Sequence, residues 1–401
     1  MKNMDNYGIF IIMDSTHFHR ILSFDLPRSQ SAFIWGPRKC GKTTFLQQKY
    51  PQSIRYDFLM TDLRFEMLKA PSLLRQELCA IEDTQRLLSP VVLDEVQYVP
   101  QLLDEVQWLI DNKGISFILC GSSARKLKRG HANMLGGRAW RFQLHPLCWQ
   151  EVPSIDLRKA LNCGLLPAHY RMDDAARSLK AYVADYLKEE ILEEGLTRNI
   201  AAFSRFTDVL GFCTGELVNY NNIARDTGVD NKTVKQYFQI VLDTLLGTLL
   251  PPFAKRNKRA ILTATPKFYL FDVGVAGYLA KRTVNALEGS EFGRAFEHFI
   301  FMELLAWRSY REINVDFSYW RTSTGLEVDF IIGDAQAAIE VKGSSNISSK
   351  EMKGLRAFID EHQPKQAIVV CNEQRIRRVG EVVIYPWRDF LDALWGGKLF
   401  G

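Results

Sequence analysis

The sequence has no paired-cysteine motif, no long apolar segment and no strong excess of charge of one sign. Its seven cysteines are scattered without a C-x-x-C pair, which argues against a zinc knuckle and suits a reducing compartment. No apolar run approaches the roughly 20 residues of a membrane-spanning helix. The short run at residues 9–13 is flanked by Asp5 and Asp14 and lacks a signal peptide's layout. We therefore expect a cytoplasmic protein with no membrane partner.

The remaining composition is that of an ordinary globular protein. Hydrophobic residues make up 47% and charged residues 24% of the 401 positions. A chain of this length predicts two or three domains with a large core. The net charge of +5 is compatible with a nucleic-acid partner but does not by itself indicate one.

Residues 36–43 match the complete G-x-x-x-x-G-K-[ST] pattern of a phosphate-binding loop. An apolar run at 31–35 precedes the loop and predicts a buried strand, and a helical pattern follows it. Glycines let the backbone surround a phosphate, so that several N–H groups and a helix N-terminus point at one anion. We expect Lys42 to contact the β- and γ-phosphates of ATP and Thr43 to hold Mg²⁺. The predicted nucleotide-binding residues here are Gly36, Pro37, Arg38, Lys39, Cys40, Gly41, Lys42, Thr43 and Thr44.

A second part of an ATP site follows farther along the chain. Residues 90–93 predict a buried strand that ends in Asp94 and Glu95. We expect Asp94 to bind Mg²⁺, directly or through water, and Glu95 to activate the attacking water as general base. A strand that ends in two solvated acids is the alternative, but the complete phosphate loop upstream favours the catalytic interpretation.

Two further positions are candidates for contact with the γ-phosphate. A strand predicted at 115–120 is followed by Ser122, whose hydroxyl can sense this phosphate or place the water. A Ser-rich turn explains that segment nearly as well. Among the basic residues that follow, Arg138 is our candidate for an arginine finger acting across a subunit interface. A solvated or DNA-facing surface explains the basic cluster about equally well.

The middle of the chain predicts a helix-turn-helix followed by a hairpin. Residues 220–227 predict a short helix, and Asp230 is placed as the N-cap of a second helix at 231–246. Segments 249–253 and 267–271 can pair as a wing. Polar and basic side chains on the second helix and in the wing loop suit DNA contacts. They are Lys232, Lys235, Gln236 and Gln239 on the helix and Lys255, Arg256, Lys258 and Arg259 in the loop. A structural module with a solvated polar face is the alternative.

The C-terminal region predicts an acidic site on a small sheet. Residues two apart on a strand share a face, so Glu340 and Lys342 point together, and a neighbouring strand can bring Asp329 beside them. Asp329 and Glu340 can hold Mg²⁺, or Mn²⁺ in its place, through carboxylate oxygens. Lys342 is expected to orient the water or neutralise the transition state, and Glu297 to complete the acidic set. The predicted order is a helix at 291–305, strands at 316–321, 326–332 and 337–342, a helix at 350–362 and a strand at 366–371.

This order and the D…E-x-K triad resemble the PD-(D/E)xK nuclease fold. The resemblance implies metal-dependent cleavage of DNA, with Glu297, Asp329, Glu340 and Lys342 as the catalytic residues. A nuclease-like domain that only binds or positions DNA is the alternative.

The whole chain resembles a bacterial and archaeal family of AAA+ ATPases fused to a C-terminal PD-(D/E)xK-like domain. The matching segments are GPRKCGKTT, VVLDEVQ, ILCGSSARKL, GGRAWRFQLHPLCWQE, the helix-turn-helix, PKFYLFDVGVAGYL, GRAFEHFIF and EVDF…IEVK. At position 122 the usual residue of AAA+ proteins is Asn, and here it is Ser122.

The resemblance implies an α/β chain of three parts. These are a P-loop AAA+ domain with a RecA-like parallel sheet (1–152), a helical and winged-helix middle region (153–288) and an α/β nuclease-like domain (289–401). It also implies ATP hydrolysis, DNA as a partner and a homo-oligomer, either a ring or a dimer. We therefore expect an ATP-dependent DNA-processing ATPase with a metal-dependent nuclease-like domain. The alternative is an ATP-hydrolysing, DNA-binding regulatory or defence switch without nuclease activity.

Overall fold

The computed structural model describes residues 18–27, 30–81, 89–123, 135–172, 174–187, 200–254 and 265–400. The first region is built on a five-stranded parallel sheet with the order β2-β3-β4-β1-β5. Its strands are β1 (Ser31–Trp35), β2 (Arg55–Asp57), β3 (Val91–Asp94), β4 (Phe117–Gly121) and β5 (Ala139–Gln143). Its helices are α1 (Lys42–Lys49), α2 (Thr61–Lys69), α3 (Ser72–Ala80) and α4 (Leu102–Lys113).

The apolar runs of this sheet are explained by burial on both faces. All residues of β1, β3 and β4 are buried, as expected for inner strands of a covered parallel sheet. One face packs on α3 and α4, and the other on α1, with helices of the middle region in the same apolar cluster. The parallel sheet predicted from the sequence is therefore confirmed. Strand β5 was not predicted, because Trp140 and Arg141 on this edge strand are exposed and give the segment no apolar run.

The middle region is mainly helical. Its helices are α5 (Leu157–Cys163), α6 (Pro167–Arg171), α7 (Ala175–Ala181), a π-helical segment (Tyr182–Leu187), α8 (Ile200–Cys213), α9 (Tyr220–Thr227), α10 (Asn231–Asp243) and α11 (Val273–Leu279). Asp230 caps α10 as predicted, because its carboxylate accepts a bond from the Thr233 backbone N–H at 2.7 Å. Strands β6 (Gly247–Leu250) and β7 (Lys267–Leu270) pair antiparallel as the predicted hairpin. The wing loop, with Lys255, Arg256, Lys258 and Arg259, lies outside the described residues.

The C-terminal region is a six-stranded mixed sheet with the order β12-β13-β11-β10-β9-β8. The predicted order of helix, three strands, helix and strand is present, and two strands and a helix follow it. The elements are α12 (Gly289–Tyr310), β8 (Phe317–Arg321), β9 (Glu327–Ile332), β10 (Ala337–Val341), α13 (Lys353–His362), β11 (Gln366–Cys371), β12 (Arg377–Val379), β13 (Val382–Pro386) and α14 (Trp387–Trp395).

Backbone contacts join the hairpin to this second sheet. The Phe253 N–H donates to the Tyr319 carbonyl of β8 at 2.5 Å, and the Tyr319 N–H donates to the Pro251 carbonyl at 3.0 Å. Helices α5 and α12 share one apolar core with the C-terminal sheet. The middle region therefore contacts both the first and the second sheet. Within the described ranges, no helix is both long and apolar enough to span a membrane.

Candidate functional site

The phosphate-binding loop lies at the carboxyl end of β1, where ligands bind in open α/β sheets. Gly41 is the N-cap of α1 with a φ of 94°, a conformation that favours glycine. A Cβ on Gly36 would lie 2.4 Å from the Leu144 carbonyl oxygen and 2.9 Å from Cys40 Sγ. The loop is thus packed against the segment after β5, and both glycines of the motif are required by its shape.

Lys42 lies across its own loop. Its buried ammonium donates to the carbonyls of Gly36 at 2.8 Å and Pro37 at 3.1 Å. The other loop side chains contact neighbouring elements: Arg38 donates to the Tyr98 hydroxyl at 2.5 Å, and the Lys39 ammonium lies 5.7 Å from the centre of the Tyr182 ring. The loop therefore contacts both its own sheet and the middle region.

Thr43 and Asp94 meet as the sequence predicts. The exposed Thr43 hydroxyl donates to the buried Asp94 carboxylate at 2.6 Å, and the Glu95 N–H donates to the other Asp94 oxygen at 3.0 Å. Burial raises the pKa of the Asp94 carboxyl, although the bond from Thr43 acts in the opposite direction. A hydroxyl and a carboxylate in contact at the edge of a phosphate loop are hard oxygen donors that fit Mg²⁺.

Glu95 is held by two side chains. The Gln97 amide donates to one Glu95 oxygen and to the Ser122 hydroxyl at 3.1 Å, and Ser122 donates to the same Glu95 oxygen at 3.4 Å. Glu95 has a φ of 54°, a left-handed conformation that costs a non-glycine residue about 1–2 kcal/mol. A Cβ on Gly121 would lie 2.5 Å from Gln97 Oε1, so a larger residue at this position would force the Gln97 side chain to shift. Gln97 was not predicted, although it follows Glu95 by two residues in the same segment.

Arg20 is a functional candidate that the sequence did not reveal. Its buried guanidinium donates to the Cys40 carbonyl of the loop at 2.5 Å, to Glu151 at 2.9 Å and to the Tyr310 hydroxyl at 2.9 Å. Tyr310 is the last residue of α12. Glu297 lies thirteen residues before it on the same helix, which is about 20 Å along the helix axis. One helix therefore joins the phosphate loop to the C-terminal acidic residues. A lone arginine in an irregular segment carries no sequence signal for this role.

Arg138 lies at the end of the sheet opposite the phosphate loop. It immediately precedes Ala139, which pairs with Ser31 at the amino end of β1, and the loop follows the carboxyl end of β1. Its side chain forms an ion pair with Asp111 at 2.7 Å. Since a five-residue strand spans about 16 Å, Arg138 cannot reach the ATP site of its own chain. Its predicted role therefore requires a neighbouring subunit.

The four predicted residues of the C-terminal site come together. Glu297 on α12, Asp329 on β9 and Glu340 on β10 converge, and Lys342 contacts Glu340 at 2.5 Å. The Val341 N–H donates to Asp329 at 2.8 Å. Burial and the Asp329 charge raise the pKa of Glu297 to about 7, and the same two causes raise the pKa of Glu340. The carboxylates of this site thus lie close to one another and to lysine ammonium groups.

Three further residues belong to this site and were not predicted. Lys267 of β7 places its ammonium 3.4 Å from Glu297 and 4.0 Å from Asp329, and it also contacts Glu327. The Tyr269 hydroxyl donates to Glu297 at 2.6 Å. Period-two alternation places Glu327 on the same face as Asp329, so the argument that paired Glu340 with Lys342 would have found Glu327. It also places Lys267 beside Tyr269, but nothing local shows that β7 faces this site. We call Glu297, Glu327, Asp329 and Glu340 the C-terminal acidic cluster.

The cluster as it stands does not fit a divalent cation. Oxygens of Glu297, Asp329 and Glu340 are engaged by the Lys267 and Lys342 ammonium groups, the Tyr269 hydroxyl and the Val341 N–H. Among the described residues, no group of three or more His, Cys, Asp or Glu side chains has a geometry that could hold a metal ion. Glu340 Oε2 is buried without a hydrogen-bond partner. The metal site predicted at Asp329 and Glu340 is therefore not formed in this arrangement.

The predicted DNA-binding face of α10 is exposed. Asn231, Lys232, Lys235, Gln236 and Gln239 lie on one side, while Val234, Phe238 and Val241 are buried on the other. Lys235 and Asn231 line a groove of about 440 Å³ between α9, α10 and residue Thr265. The helical period was therefore read correctly, and the DNA contacts stay a prediction.

Sequence comparison divides the chain into three matched segments. Residues 28–153 match the AAA domain family, residues 154–286 match a domain of unknown function, DUF8612, and residues 292–390 match another, DUF4143. The first match agrees with the phosphate loop, the Thr43–Asp94 contact and the parallel sheet.

Similar proteins occur in bacteria and archaea. An uncharacterized protein of Mycobacterium tuberculosis is 26% identical over 374 residues, which cover 90% of this chain and 81% of the relative. An uncharacterized protein of Methanocaldococcus jannaschii is 24% identical over 83% of this chain and 79% of the relative.

Among solved structures, a signal-transduction ATPase with a tetratricopeptide repeat sensor from Pyrococcus horikoshii aligns with 75% of this chain and 52% of its own. That alignment has 12% identity and a TM-score of 0.20, too low to support an argument. The chain thus carries an AAA-type ATPase domain at residues 28–153.

Proposed function

We propose that this chain is an ATP-hydrolysing, DNA-binding protein in which the first domain controls a DNA-contacting middle region and a nuclease-like C-terminal domain. The observation that carries the proposal is the continuous set of contacts from Thr43 through Asp94 and Glu95 to Ser122. It joins a phosphate loop, an acidic strand end and a polar residue directly after the neighbouring strand, which are the parts that ATP hydrolysis requires.

Each residue of the ATP site has a role that follows from its position. The backbone N–H groups of residues 36–43 bind the phosphates, and Lys42 moves from its loop carbonyls to the β- and γ-phosphate oxygens. Thr43 and Asp94 would hold Mg²⁺, which neutralises phosphate charge when bound. Glu95 takes a proton from water as the water oxygen attacks the γ-phosphorus and ADP leaves. Gln97 and Ser122 hold the Glu95 carboxylate in place for that transfer.

The exposed face of α10 supports DNA as the partner. Lys232 and Lys235 add positive charge to a helix whose opposite side is fixed in the core. Lysines at such a face bind phosphates and make affinity fall steeply with salt. Lys255, Arg256, Lys258 and Arg259 would add contacts from the wing loop.

Binding of a labelled DNA duplex, followed by fluorescence anisotropy at several salt concentrations, tests this proposal. We expect affinity to fall with salt, to differ between the ATP- and ADP-bound protein, and to lose its nucleotide dependence in Lys42→Ala. The matched control is Lys49→Ala at the other end of α1, where the ammonium lies 3.6 Å from Asp25. Affinity that is independent of both salt and nucleotide would refute the proposal.

The position of Arg138 supports a homo-oligomer. Arg138 can serve as an arginine finger only at the site of another subunit, because its own site lies at the opposite end of the sheet. A ring or a dimer would supply that arrangement. Mixing Arg138→Ala protein with Lys42→Ala protein should restore turnover below the wild-type level if an Arg138 from one chain completes the site of the next.

A second candidate is a regulatory or defence switch that binds DNA without cutting it. Lys267 favours this candidate, because it engages carboxylates on which cleavage would depend. A cleavage assay with single-stranded, duplex and branched DNA, with Mg²⁺ or Mn²⁺ and with or without ATP, separates the two. Cleavage that is lost in Lys342→Ala supports the nuclease, and its absence under every condition supports the switch.

A further inference from the structure

A cleft lies between strand β5 of the first sheet, strand β6 and the C-terminal part of α12. Its outer part, of about 670 Å³, is lined by residues 140–143 and by Arg308. Its inner part, of about 270 Å³, reaches Pro37 of the phosphate loop. Both parts share four lining residues and therefore form one cleft, which has the size of a typical small-molecule site. The shared residues are Gln143, His145, Thr248 and Leu305.

The outer part of the cleft favours an anion. Arg141 and Arg308 line it, and Glu312 is the acidic side chain among the described lining residues. Arg308 is half-buried and donates to the Val315 carbonyl at 3.4 Å. Burial lowers the pKa of Arg308, and the Asp316 charge acts in the opposite direction, but within the described ranges neither arginine forms an ion pair. A guanidinium carries five N–H donors, so further donors remain for a carboxylate, sulfonate or phosphate.

His145 adds a buried polar atom to both parts of the cleft. Its Nε2 has no hydrogen-bond partner among the described residues, whereas its backbone bonds to Arg20 and Tyr310. Burial and the charges of Arg20 and Arg308 lower the pKa of His145 to about 3, so the ring is neutral at pH 7. An unpaired buried polar atom is unfavourable. A ligand in the cleft would supply the missing partner.

The inner part of the cleft is apolar, and its mouth carries an exposed aromatic ring. Trp140 lies at the mouth and is 44% exposed. Beyond Gln143 and Thr248, the inner lining consists of aliphatic and aromatic side chains, which are Pro37, Pro146, Leu242, Leu245, Leu249, Phe271, Met302 and Leu305. Ligand sites typically combine such an apolar lining with a few polar groups that fix orientation. A flat apolar body fits both the tryptophan ring and the inner part.

We propose that this cleft is a second ligand site, separate from the ATP site, and that it binds a small organic anion with a flat apolar body. The anionic group meets Arg308 and Arg141, a polar atom of the ligand bonds to His145 Nε2, and the body extends from Trp140 into the inner part. Arg20 donates both to the His145 carbonyl and to the Cys40 carbonyl of the phosphate loop, so the ligand lies directly behind that loop. The proposal goes beyond the proposed function and does not depend on nucleotide or DNA binding.

The test measures binding of the aromatic sulfonate anilinonaphthalenesulfonate to the full chain without nucleotide or DNA, by the fluorescence of the bound probe. We expect saturable binding in wild type. Arg308→Met should weaken it at least about tenfold, because a charge-assisted hydrogen bond is lost, and Trp140→Ala should weaken it about two- to tenfold. The matched controls are Arg356→Met, at an exposed arginine of α13, and Trp108→Ala, at an exposed tryptophan of α4. Both should bind the probe like wild type.

Unchanged affinity in Arg308→Met or in Trp140→Ala would overturn the proposal. Lys42→Ala should also bind the probe like wild type, and loss of binding there would place the probe at the phosphate loop and refute a separate site. If Arg308→Met fails to fold, Arg308→Gln takes its place and hydrogen exchange on wild type is added. Saturating probe should slow amide exchange at residues 140–145 and 308–314, and unchanged exchange there would contradict the proposal. Since no ATP or DNA is present, failure of nucleotide or DNA binding would refute the proposed function and leave this result standing.

Discussion

The ATP site and the C-terminal acidic cluster are both charged sites built on a sheet, but they are completed in different ways. Every predicted contact of the ATP site, from Lys42 to Ser122, lies within the first region, and its acids are held by neutral partners such as Thr43 and Gln97. The acidic cluster contains a lysine from the middle region, which forms ion pairs with its carboxylates. The predicted catalytic contacts of the first site thus lie within one region, although its loop also touches Tyr182 of the middle region, whereas the ion pairs of the second site join two regions.

Replacement of Glu95 by Gln should have the largest effect on ATP turnover. Glu95→Gln keeps the shape of the side chain and removes the base, so we expect hydrolysis to fall by about 10²–10⁴-fold while nucleotide binding is retained. Turnover measured by phosphate release, beside a fluorescent-nucleotide binding assay, checks both. Retained turnover would show that another group is the base.

Lys42→Ala should reduce turnover by about 10²–10³-fold and also weaken nucleotide binding, because it removes the charge that meets the phosphates. The weaker nucleotide binding distinguishes Lys42→Ala from Glu95→Gln in the same two assays. Lys49→Ala on the same helix is the control and should match wild type. Normal binding by Lys42→Ala would mean that the loop does not hold the nucleotide as described.

Removal of Arg20 tests whether a buried ion pair behind the phosphate loop stabilises the fold. Arg20 and Glu151 are almost fully buried, at 4% and 0% side-chain exposure. Loss of one partner leaves a buried charge, and Arg20→Met should lower the free energy of unfolding by about 3–5 kcal/mol. Urea denaturation measures this. Arg20→Met combined with Glu151→Gln should recover part of the loss, because it removes the unpaired charge and keeps an acceptor for the Ile21 or Cys148 N–H. A single variant as stable as wild type would contradict this assignment.

Lys267→Met should destabilise the protein by a smaller amount, about 2 kcal/mol, than loss of a fully buried ion-pair partner. The carboxylates are partly exposed, at 21% for Glu297 and 25% for Glu327, and Glu297 keeps its bond from Tyr269. Urea denaturation measures this loss, with Lys398→Met at an exposed lysine as the control. A Lys267→Met variant as stable as wild type would show that the ion pairs contribute nothing to folding.

The smallest effect is expected at the predicted DNA-binding face. If Lys232 and Lys235 each contact one phosphate, Lys232→Ala and Lys235→Ala should each reduce the slope of log affinity against log salt by about 1. The control is Lys113→Ala, an exposed lysine at the end of α4 in the first region. An unchanged slope in both variants would identify this face as merely solvated.

The sequence predicted those parts of the fold whose signal is local. The phosphate loop, the strand ending at Asp94, the N-cap at Asp230 and the exposed face of α10 each depend on neighbours in the chain, and each was found where expected. Boundaries differed by a few residues; for example, α13 begins at Lys353 because Ser348 and Glu351 form a bonded turn before it.

Contacts between distant segments could not be predicted in the same way. Arg20 meets Glu151 and Tyr310 across more than a hundred residues, and only the folded chain brings them together. Lys267 is an intermediate case, since alternation along β7 places it beside Tyr269, but nothing local shows that β7 faces the acidic cluster. The α12 helix, which reaches both sites, likewise reveals its role only when its two ends are seen in place.

The most direct test of the central claim is ATP turnover by the full-length chain as a function of duplex DNA concentration, with Mg²⁺ and saturating ATP. The account predicts turnover that rises with DNA in wild type and is close to background in Glu95→Gln. Wild-type turnover no higher than that of Glu95→Gln, with or without DNA, would contradict it.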